Sequence, residues 1–248
     1  MDLRGKNIII TGGAKGIGLC TARALSAENA KACIIDMDVK ALMAVCDGES
    51  LFAYECDITD PSAVKETVSR CFSDMGAIHG LVNNAGFIYN ATLINIFKRS
   101  PDEDDIEGFR KTIETNLNAV YYVTVHTAYK MLEKRAKGVI VNVSSISASG
   151  NAGQGAYSAS KAGVAALTVA WAKELGPLGI RVAGIAPGYS KTETTMNSMA
   201  DSKIKEWREA TPLRRLAEPD EIAHGILFIL KNDFYNGRIL ELDGGLRI

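Results

Sequence analysis

Tyr157 and Lys161 are the two large polar side chains in a run of otherwise small residues, AYSASKAG at 156–163. Because they are four residues apart, a helix would place both on one face, one turn from each other. A phenol would then lie directly over an ammonium group. Such a pair is either an ordinary surface contact or part of a reactive site, and the pair alone leaves both interpretations open.

A glycine-rich loop near the start of the chain is a second group of residues suited to chemistry. The sequence TGGAKGIG at 11–18 follows an apolar run and opens a predicted helix. Gly12, Gly16 and Gly18 would let the backbone turn tightly and bring helix N–H groups up to a diphosphate, with the positive end of the helix dipole behind them. The position of this loop between the first strand and the first helix favours a dinucleotide-binding role.

Acidic residues at the ends of the next two strands indicate which dinucleotide would bind. Asp36 ends the second predicted strand, where a carboxylate accepts hydrogen bonds from both ribose hydroxyls of an adenosine. It also repels a 2′-phosphate, and Asp38 adds to this effect, which costs about 1–4 kcal/mol. Lys15 would attract that phosphate, but we give the aspartate more weight and predict NAD rather than NADP. Asp57 would bond the adenine amino group, whereas Asp60 is the better candidate for a helix cap.

Short apolar runs rich in β-branched residues alternate with helical stretches along the chain. The runs are 7–11, 32–36, 51–56, 78–84, 138–143, 180–186 and 238–242, and the helical stretches are about 16–29, 61–75, 108–136, 156–176 and 218–231. Most runs are continuously apolar, which is typical of strands buried on both faces. The pattern predicts one α/β domain over residues 1–248, a doubly wound, seven-stranded parallel sheet with helices on both faces.

Composition excludes several classes of function. The formal net charge is −1, and the 28 basic and 29 acidic residues are interspersed, so no surface is predicted for nucleic acid or an anionic membrane. The five cysteines show no C-x-x-C, and with only three histidines no metal-ligand spacing appears. The start MDLRGKNIII lacks the long apolar run of a signal peptide, and no later segment reaches membrane-spanning length. We expect a protein of the reducing cytoplasm that holds no metal.

Two segments interrupt the alternation of strands and helices. The segment 87–108 contains SPDEDDIEG, in which Ser100 as an N-cap, Pro101 after it and acids in the first turn predict a helix start rather than a metal site. The segment 188–210 is polar and follows a strand end. It is predicted to form a mobile lid over a site.

Four more motifs complete an ordered set. They are NNAG at 83–86, TNLNAV at 115–120, NVSS at 142–145 and APGYSKT at 186–192. Together with T-G-x-x-x-G-x-G and Y-x-x-x-K, in this order and over the whole length, they resemble the short-chain dehydrogenase/reductase family. The resemblance implies a Rossmann-fold oxidoreductase that transfers hydride between a nicotinamide and a secondary alcohol or ketone.

The resemblance also assigns roles to the opening pair. Tyr157 would be the general acid/base at the substrate oxygen, and Lys161 would stabilise its phenolate and hold the nicotinamide ribose. Lowering the pKa of a phenol from about 10 to about 7 needs about 4 kcal/mol, which a close cation in a dry pocket can supply. Asn116 would order a water chain behind the lysine, or it is simply a mid-helix polar residue bonded to local backbone.

The catalytic serine and the remaining cofactor contacts follow from the same resemblance. The family's serine usually ends the strand as the second of the Ser-Ser pair, which favours Ser145. Its usual distance from the tyrosine favours Ser144 instead. We prefer Ser145, because strand register fixes the direction of a side chain whereas a loop tolerates a change of length. Thr192 and the backbone at 187–188 would hold the carboxamide. The predicted catalytic residues are Asn116, Ser145, Tyr157 and Lys161, and the predicted cofactor-binding residues are Gly12, Lys15, Gly16, Ile17, Gly18, Asp36, Asp57, Ile58, Asn83, Ala85, Gly86, Tyr157, Lys161, Pro187, Gly188 and Thr192.

The substrate is less clearly indicated than the chemistry. The overall pattern resembles 3-oxoacyl-carrier-protein reductases, but these mostly use NADPH, and Asp36 departs from that. The extended segment 87–108 and the ending NGRILELDGGLRI resemble NAD-dependent 3-hydroxyacyl-CoA and hydroxysteroid dehydrogenases. Three hypotheses remain: an acyl thioester oxidoreductase, the same chemistry on a sterol, sugar or other secondary alcohol, and a catalytically silent nucleotide-binding scaffold. A basic patch for an acidic carrier protein would involve Lys98-Arg99, Lys203-Lys205 or Arg214-Arg215, unless these are solvated surface residues.

Assembly is predicted from the apolar character of two helices. The helices at 108–136 and 156–176 are apolar around most of their girth, so each needs a second cover beyond the sheet. Pairing them with their copies in a second subunit would bury both. The ending DGGLRI, with Leu246 and Ile248, would make a second contact. The expectation is a homotetramer of 222 symmetry.

Overall fold

The predicted apolar runs form the strands of one parallel sheet in the computed structural model, which describes residues 1–95, 103–198 and 200–248. The strands are β1 Asn7–Thr11, β2 Lys31–Asp36, β3 Leu51–Glu55, β4 Gly80–Asn83, β5 Gly138–Val143, β6 Ile180–Pro187 and β7 Ile239–Leu242. Their order is β3-β2-β1-β4-β5-β6-β7, and every pairing is parallel. The chain winds outward from β1 to β3, returns to β4 and winds outward again to β7. The predicted doubly wound Rossmann fold is confirmed, and its switch point lies between β1 and β4.

Helices cover both faces of this sheet. They are α1 Gly16–Ala27, α2 Val39–Val45, α3 Pro61–Met75, α4 Glu103–Ile113, α5 Ala119–Glu133, α6 Gly155–Leu175, α7 Glu193–Ser198, α8 Asp201–Ala210 and α9 Pro219–Lys231. Alternate residues of β1 enter different cores: Ile8 and Ile10 pack with α1 and α9, and Ile9 packs with α3 and α5. Among the described residues, no helix combines the length and apolarity needed to cross a bilayer. The single-domain organisation stays a prediction.

Local sequence explains where one well-predicted helix begins. The Asp60 carboxylate accepts hydrogen bonds from the backbone N–H groups of Ser62 (2.8 Å) and Ala63 (3.2 Å), and Pro61 occupies the first turn of α3. Side-chain caps of this kind satisfy N–H groups that have no partner inside the helix. The predicted cap at Asp60 is therefore confirmed.

The predicted long helix at 108–136 is not continuous. A π-helical segment, Glu114–Asn118, separates α4 from α5, and Asn116 lies fully buried within it. Single π-turns inside α-helices are frequently found at functional sites. The predicted helix start at Ser100-Pro101 lies outside the described residues. Sequence periodicity did not identify α2 or α7, because both are shorter than the window in which a helical period becomes visible.

Candidate active site

A cavity of about 1080 Å³ opens at the carboxyl ends of the strands, where this topology places ligand sites. Its wall is built from the loops that follow β1 to β6. The predicted residues that line it are Gly12, Lys15, Gly16, Ile17, Asp36, Asp57, Ile58, Ala85, Gly86, Ser145, Tyr157, Lys161, Pro187, Gly188 and Thr192. Gly18, Asn83 and Asn116 lie behind the wall rather than in it.

The glycine loop is fastened to the segment that follows β4. Gly12 has a φ of +61°, and a Cβ there would lie 2.8 Å from the Cα of Ala85, so only glycine fits. The Thr11 hydroxyl accepts from the backbone N–H groups of Asn84 and Ala85, both at 3.1 Å. The Asn84 amide donates in return to the carbonyls of Thr11 (3.1 Å) and Gly12 (2.9 Å). Sequence reasoning missed Thr11 and Asn84, although both belong to the motifs that it used.

Gly18 supports the loop from behind. A Cβ on this residue would lie 2.3 Å from the Gly12 carbonyl oxygen and 2.6 Å from the Asn84 amide nitrogen. The first turn of α1 can therefore approach the loop only because this residue is glycine. Gly18 thus has a packing role, and its predicted contact with the cofactor stays a prediction.

Asn83 is also placed differently from the prediction that it lines the middle of the cofactor site. Its amide nitrogen donates to Thr124 and to Asn142, both at 2.8 Å, and its side chain is buried within the sheet layer. Asn83 is the last residue of β4 and pairs in register with Asn142 of β5. Its side chain therefore points into the core, and the next residue, Asn84, lines the cavity instead.

Two carboxylates lie at the far end of the cavity. Asp36 accepts from the backbone N–H groups of Ala14 (3.2 Å) and Asp38 (3.1 Å), which fixes its orientation at the end of β2. Asp57 accepts from the backbone N–H (2.9 Å) and the hydroxyl (2.7 Å) of Thr59. These contacts hold both carboxylates at the cavity wall, where hydroxyl and amino groups of an adenosine would meet them.

The predicted pair on α6 comes together as expected. The Lys161 ammonium lies 5.7 Å from the centroid of the Tyr157 ring and donates to the Val143 carbonyl at 2.8 Å. Lys161 is only 4% exposed, and burial lowers its pKa to about 8. Lys161 is thus hydrogen-bonded to the end of β5, and Tyr157 lines the cavity.

The electrostatics of the phenol differ from the expectation. Burial raises the pKa of Tyr157 above its ordinary value, and the hydrogen bond with the Ser145 hydroxyl opposes that rise. The Lys161 ammonium is directed at the Val143 carbonyl, and burial rather than its charge dominates the pKa of Tyr157. The Ser145 hydroxyl is a described group that favours the phenolate.

The two serines that follow β5 point in different directions. The Ser144 hydroxyl donates to the Lys161 carbonyl at 3.0 Å, so it is used inside the protein. The Ser145 hydroxyl accepts from the Ser147 N–H at 3.1 Å and interacts with Tyr157. This arrangement supports the register argument for Ser145, which stays a prediction.

We expect Ser145→Ala to lower kcat by about 10²–10³, the usual loss when a donor to the reacting oxygen is removed. Ser144→Ala is the matched control, since it deletes a neighbouring hydroxyl that contacts helix backbone. It should cost little in kcat but lower the melting temperature, because a buried hydrogen bond to the Lys161 carbonyl is lost. Steady-state kinetics on both variants test this. A larger loss of kcat in Ser144→Ala than in Ser145→Ala would show that the distance from the tyrosine, and not strand register, identifies the catalytic serine.

Asn116 clamps the segment that follows β4. Its carbonyl oxygen accepts from the Phe87 N–H (3.0 Å) and its amide nitrogen donates to the Phe87 carbonyl (2.8 Å). A Cβ on Gly86 would lie 2.9 Å from the Asn116 carbonyl oxygen, so glycine is required beside it. Asn116 bonds to backbone, but that backbone lies 29 residues away rather than nearby. Its predicted role in ordering a water chain stays a prediction.

Comparison with known proteins decides the family. Residues 6–203 match the family model described as short chain dehydrogenase. The chain belongs to this family. Among its relatives, a 3-oxoacyl-(acyl-carrier-protein) reductase of Thermotoga maritima is 37% identical over the full length of both chains. The human 3-hydroxyacyl-CoA dehydrogenase type-2 is 31% identical over all of this chain and 97% of its own length. The gluconate 5-dehydrogenase of Gluconobacter oxydans is 32% identical over all of this chain and 96% of its own length.

The short-chain dehydrogenase is therefore an oxidoreductase that acts on CH–OH groups with a nicotinamide cofactor. The predicted family and enzyme class are confirmed, and the hypothesis of a catalytically silent scaffold is not supported.

The substrate end of the short-chain dehydrogenase contains an aromatic stack that sequence reasoning missed. Tyr189 stacks on Trp207 of α8, with ring centroids 3.6 Å apart and an angle of 5° between the rings. The Tyr189 hydroxyl accepts from the Asn151 amide at 3.3 Å, and Gln154 accepts from Asn151 and from the Ser147 hydroxyl, each at 3.0 Å. Part of the predicted lid, α8, is thus joined to the end of β6 through the stacked rings.

Thr192 completes the wall at the start of α7. Its hydroxyl accepts from the backbone N–H of Thr195 at 3.1 Å, and its methyl group would lie 3.6 Å from a Cβ on Gly16. Thr192 therefore faces the glycine loop across the cavity. The backbone N–H of Gly188 is already bonded to the Leu242 carbonyl at 2.8 Å, and its carbonyl accepts from the Ser190 hydroxyl at 3.4 Å.

Proposed function

We propose that this short-chain dehydrogenase is an NAD(H)-dependent oxidoreductase that interconverts 3-oxoacyl and 3-hydroxyacyl thioesters. The supporting observation is full-length similarity to enzymes named for both ends of that reaction, a 3-oxoacyl reductase and a 3-hydroxyacyl-CoA dehydrogenase. Because those names share oxidation and reduction at the third carbon of an acyl chain, the same position is the proposed reaction centre here.

The residues of the cavity fit a dinucleotide. The positive φ angles of Gly12 (+61°) and Gly16 (+53°) give a backbone turn with no side chain between it and a diphosphate. At the far end, Asp36 is a fixed acceptor for ribose hydroxyls. When bound, the nicotinamide supplies or accepts the hydride.

Side chains of the protein would transfer the proton to and from the substrate oxygen. In the reductive direction, Tyr157 donates its phenolic proton to the carbonyl oxygen, and its raised pKa keeps that proton in place until it is needed. Ser145 donates a hydrogen bond to the same oxygen as negative charge develops there. Lys161, held below by the Val143 carbonyl, places a positive charge beside the ribose and the phenol.

The surface around the cavity favours a thioester that does not dock through an acidic carrier. Lys203 pairs with Glu206 at 2.9 Å, Arg215 with Glu221 at 2.5 Å, and Lys205 with an acid one turn along the same helix. Three of the four basic residues in the two predicted patches that the structure describes are thus paired with acids, and the fourth, Arg214, donates to the Glu209 backbone carbonyl. The third, Lys98-Arg99, lies outside the described residues. We therefore propose coenzyme A rather than a carrier protein as the thiol component.

A panel of substrates tests the proposed function. Short 3-oxoacyl-CoA thioesters, a 3-ketosteroid and gluconate are assayed with NADH or NAD. We expect kcat/KM for the thioester to exceed kcat/KM for the steroid and for gluconate. The alternative, a sugar or other polyol substrate, is favoured by the amide of Gln154 and the hydroxyl of Tyr189, two residues that line the cavity. Preference for gluconate would establish that alternative and refute the thioester.

We expect kcat/KM with NADH to exceed that with NADPH at least tenfold, since Asp36 repels a 2′-phosphate by about 1–4 kcal/mol. Asp36→Asn combined with Met37→Arg should reverse the order, because a neutral amide and a new cation replace the carboxylate. Parallel assays with the two cofactors give both ratios. Equal efficiency in the unmodified protein would exclude this role for Asp36.

We propose assembly through two faces. On α5, Tyr121, Val125 and Tyr129 are exposed at intervals of four residues, whereas Val120 is buried in its own chain. On the C-terminal side, Phe228, Phe234 and Ile248 are exposed, but Leu246 is 7% exposed and so is not free for a partner.

A homotetramer of 222 symmetry would cover both faces. Light scattering should give four times the monomer mass of 26.6 kDa. The monomer mass at micromolar concentration would contradict both contacts, and a stable dimer would contradict the C-terminal one.

A further inference from the structure

The glycine loop contains a lysine whose ammonium is already paired with a carboxylate. The Lys15 ammonium lies 2.6 Å from one carboxylate oxygen of Asp38, at the rim of the cavity beside Asp36. The backbone N–H of Asp38 is bonded to the Asp36 carboxylate at 3.1 Å, so the ammonium bonded to Asp38 is close to where the ribose of an adenosine would lie against Asp36. An ammonium at this place would otherwise be the natural partner of a 2′-phosphate.

Asp38 is held in the orientation that makes this pair. One of its oxygens accepts from the backbone N–H of Ala41 at 3.0 Å and caps α2, and the other faces Lys15. The backbone N–H of Asp38 donates to Asp36, which in turn accepts from Ala14 in the glycine loop. The carboxylate therefore does not have to be ordered to meet the lysine, because the helix cap and the loop have already placed it.

Both members of the pair are charged at neutral pH. The hydrogen bond with Asp38 raises the pKa of Lys15, and the same bond lowers the pKa of Asp38. Around the ribose position the charges alternate as carboxylate, ammonium, carboxylate.

We infer that Asp38 is a specificity-determining residue that disfavours NADP(H) by occupying Lys15, in addition to any direct repulsion of the 2′-phosphate. The inference rests on the proposed preference for NAD(H). It differs from simple repulsion in one measurable respect: the effect of removing the Asp38 charge must depend on the presence of Lys15.

A double-mutant cycle tests this dependence by fluorescence titration of NADPH and NADH, with no turnover required. The variants are Asp38→Asn, Lys15→Met and the double substitution. Asparagine caps a helix as well as aspartate does, so α2 is preserved. We expect Asp38→Asn to tighten NADPH binding about tenfold, because the freed ammonium meets the phosphate at a surface site. NADH affinity should change less than NADPH affinity.

The decisive comparison is between the two backgrounds. With Lys15→Met in place, Asp38→Asn should recover only a small part of the tenfold gain. An equal gain with and without Lys15 would show that Asp38 acts by repulsion alone and would overturn the inference, as would no gain at all. Asp38→Ser, which also retains a capping oxygen, repeats the test if the asparagine variant has a lowered melting temperature.

The outcome is separable from that of the proposed cofactor preference. If the unmodified protein binds NADPH as tightly as NADH, the preference assigned to Asp36 fails. The coupling between Asp38 and Lys15 is the effect of Asp38→Asn on NADPH affinity in the presence of Lys15, divided by its effect in the Lys15→Met variant. This ratio can be measured whichever cofactor binds more tightly.

Discussion

Tyr157→Phe is expected to lower kcat by about 10²–10⁴, the contribution that a positioned general acid or base usually makes. The substitution keeps the ring that lies over Lys161 and removes only the proton donor. The dissociation constant for NADH should therefore change little. Stopped-flow or steady-state reduction of the substrate, together with a fluorescence titration of NADH, gives both quantities.

Tyr189→Phe is the matched control for this prediction. Its hydroxyl also belongs to the cavity wall, but it is bonded to Asn151 and its ring is fixed by Trp207. It should lose far less kcat than Tyr157→Phe. If Tyr157→Phe retains substantial activity, or if the two variants are equally impaired, Tyr157 is not the acid.

Lys161→Met should impair two functions at once. We expect a loss of kcat/KM of about 10³ or more, because the variant loses both the charge beside the reacting groups and the proposed contact with the ribose. The Kd for NADH should rise, in contrast to Tyr157→Phe. The buried Val143 carbonyl also loses its donor, so a lowered melting temperature is expected and is measured alongside. An unchanged Kd for NADH would remove Lys161 from the cofactor site.

The pH profile of the unmodified protein provides a separate check on this lysine. Burial lowers the pKa of Lys161 to about 8, so the ammonium is present below that pH and is lost as the pH rises through it. Burial raises the pKa of Tyr157, so the phenol remains protonated over the same range. The rate of carbonyl reduction should therefore fall as the pH rises past about 8, because the Lys161 ammonium loses its proton there.

The strands and most helices could be predicted because they depend on local patterns. The continuous apolar runs gave the strand positions to within a few residues, and the Asp60-Pro61 sequence set the start of α3. The Tyr157–Lys161 arrangement was predictable for the same reason, since a spacing of four residues places both on one face of any helix.

The remainder of the site depends on contacts between distant segments. Asn83 and Asn84 are adjacent in sequence, yet the end of β4 sends one into the sheet layer and the other to the cavity. The π-turn that brings Asn116 to Phe87 has no periodicity of its own. The stack of Tyr189 on Trp207 joins a strand end to a helix through packing, which hydrophobic patterns do not encode.

Transfer of deuterium from labelled NADH tests the central claim most directly. A short 3-oxoacyl-CoA thioester is incubated with each of the two forms of NADH deuterated at C4, and the 3-hydroxyacyl product is examined by mass spectrometry. We predict deuterium at C3 of the product from one of the two forms, formed at least about a hundredfold more slowly with Tyr157→Phe. An unlabelled 3-hydroxyacyl product from both forms, or no product while NADH binds, would contradict this prediction.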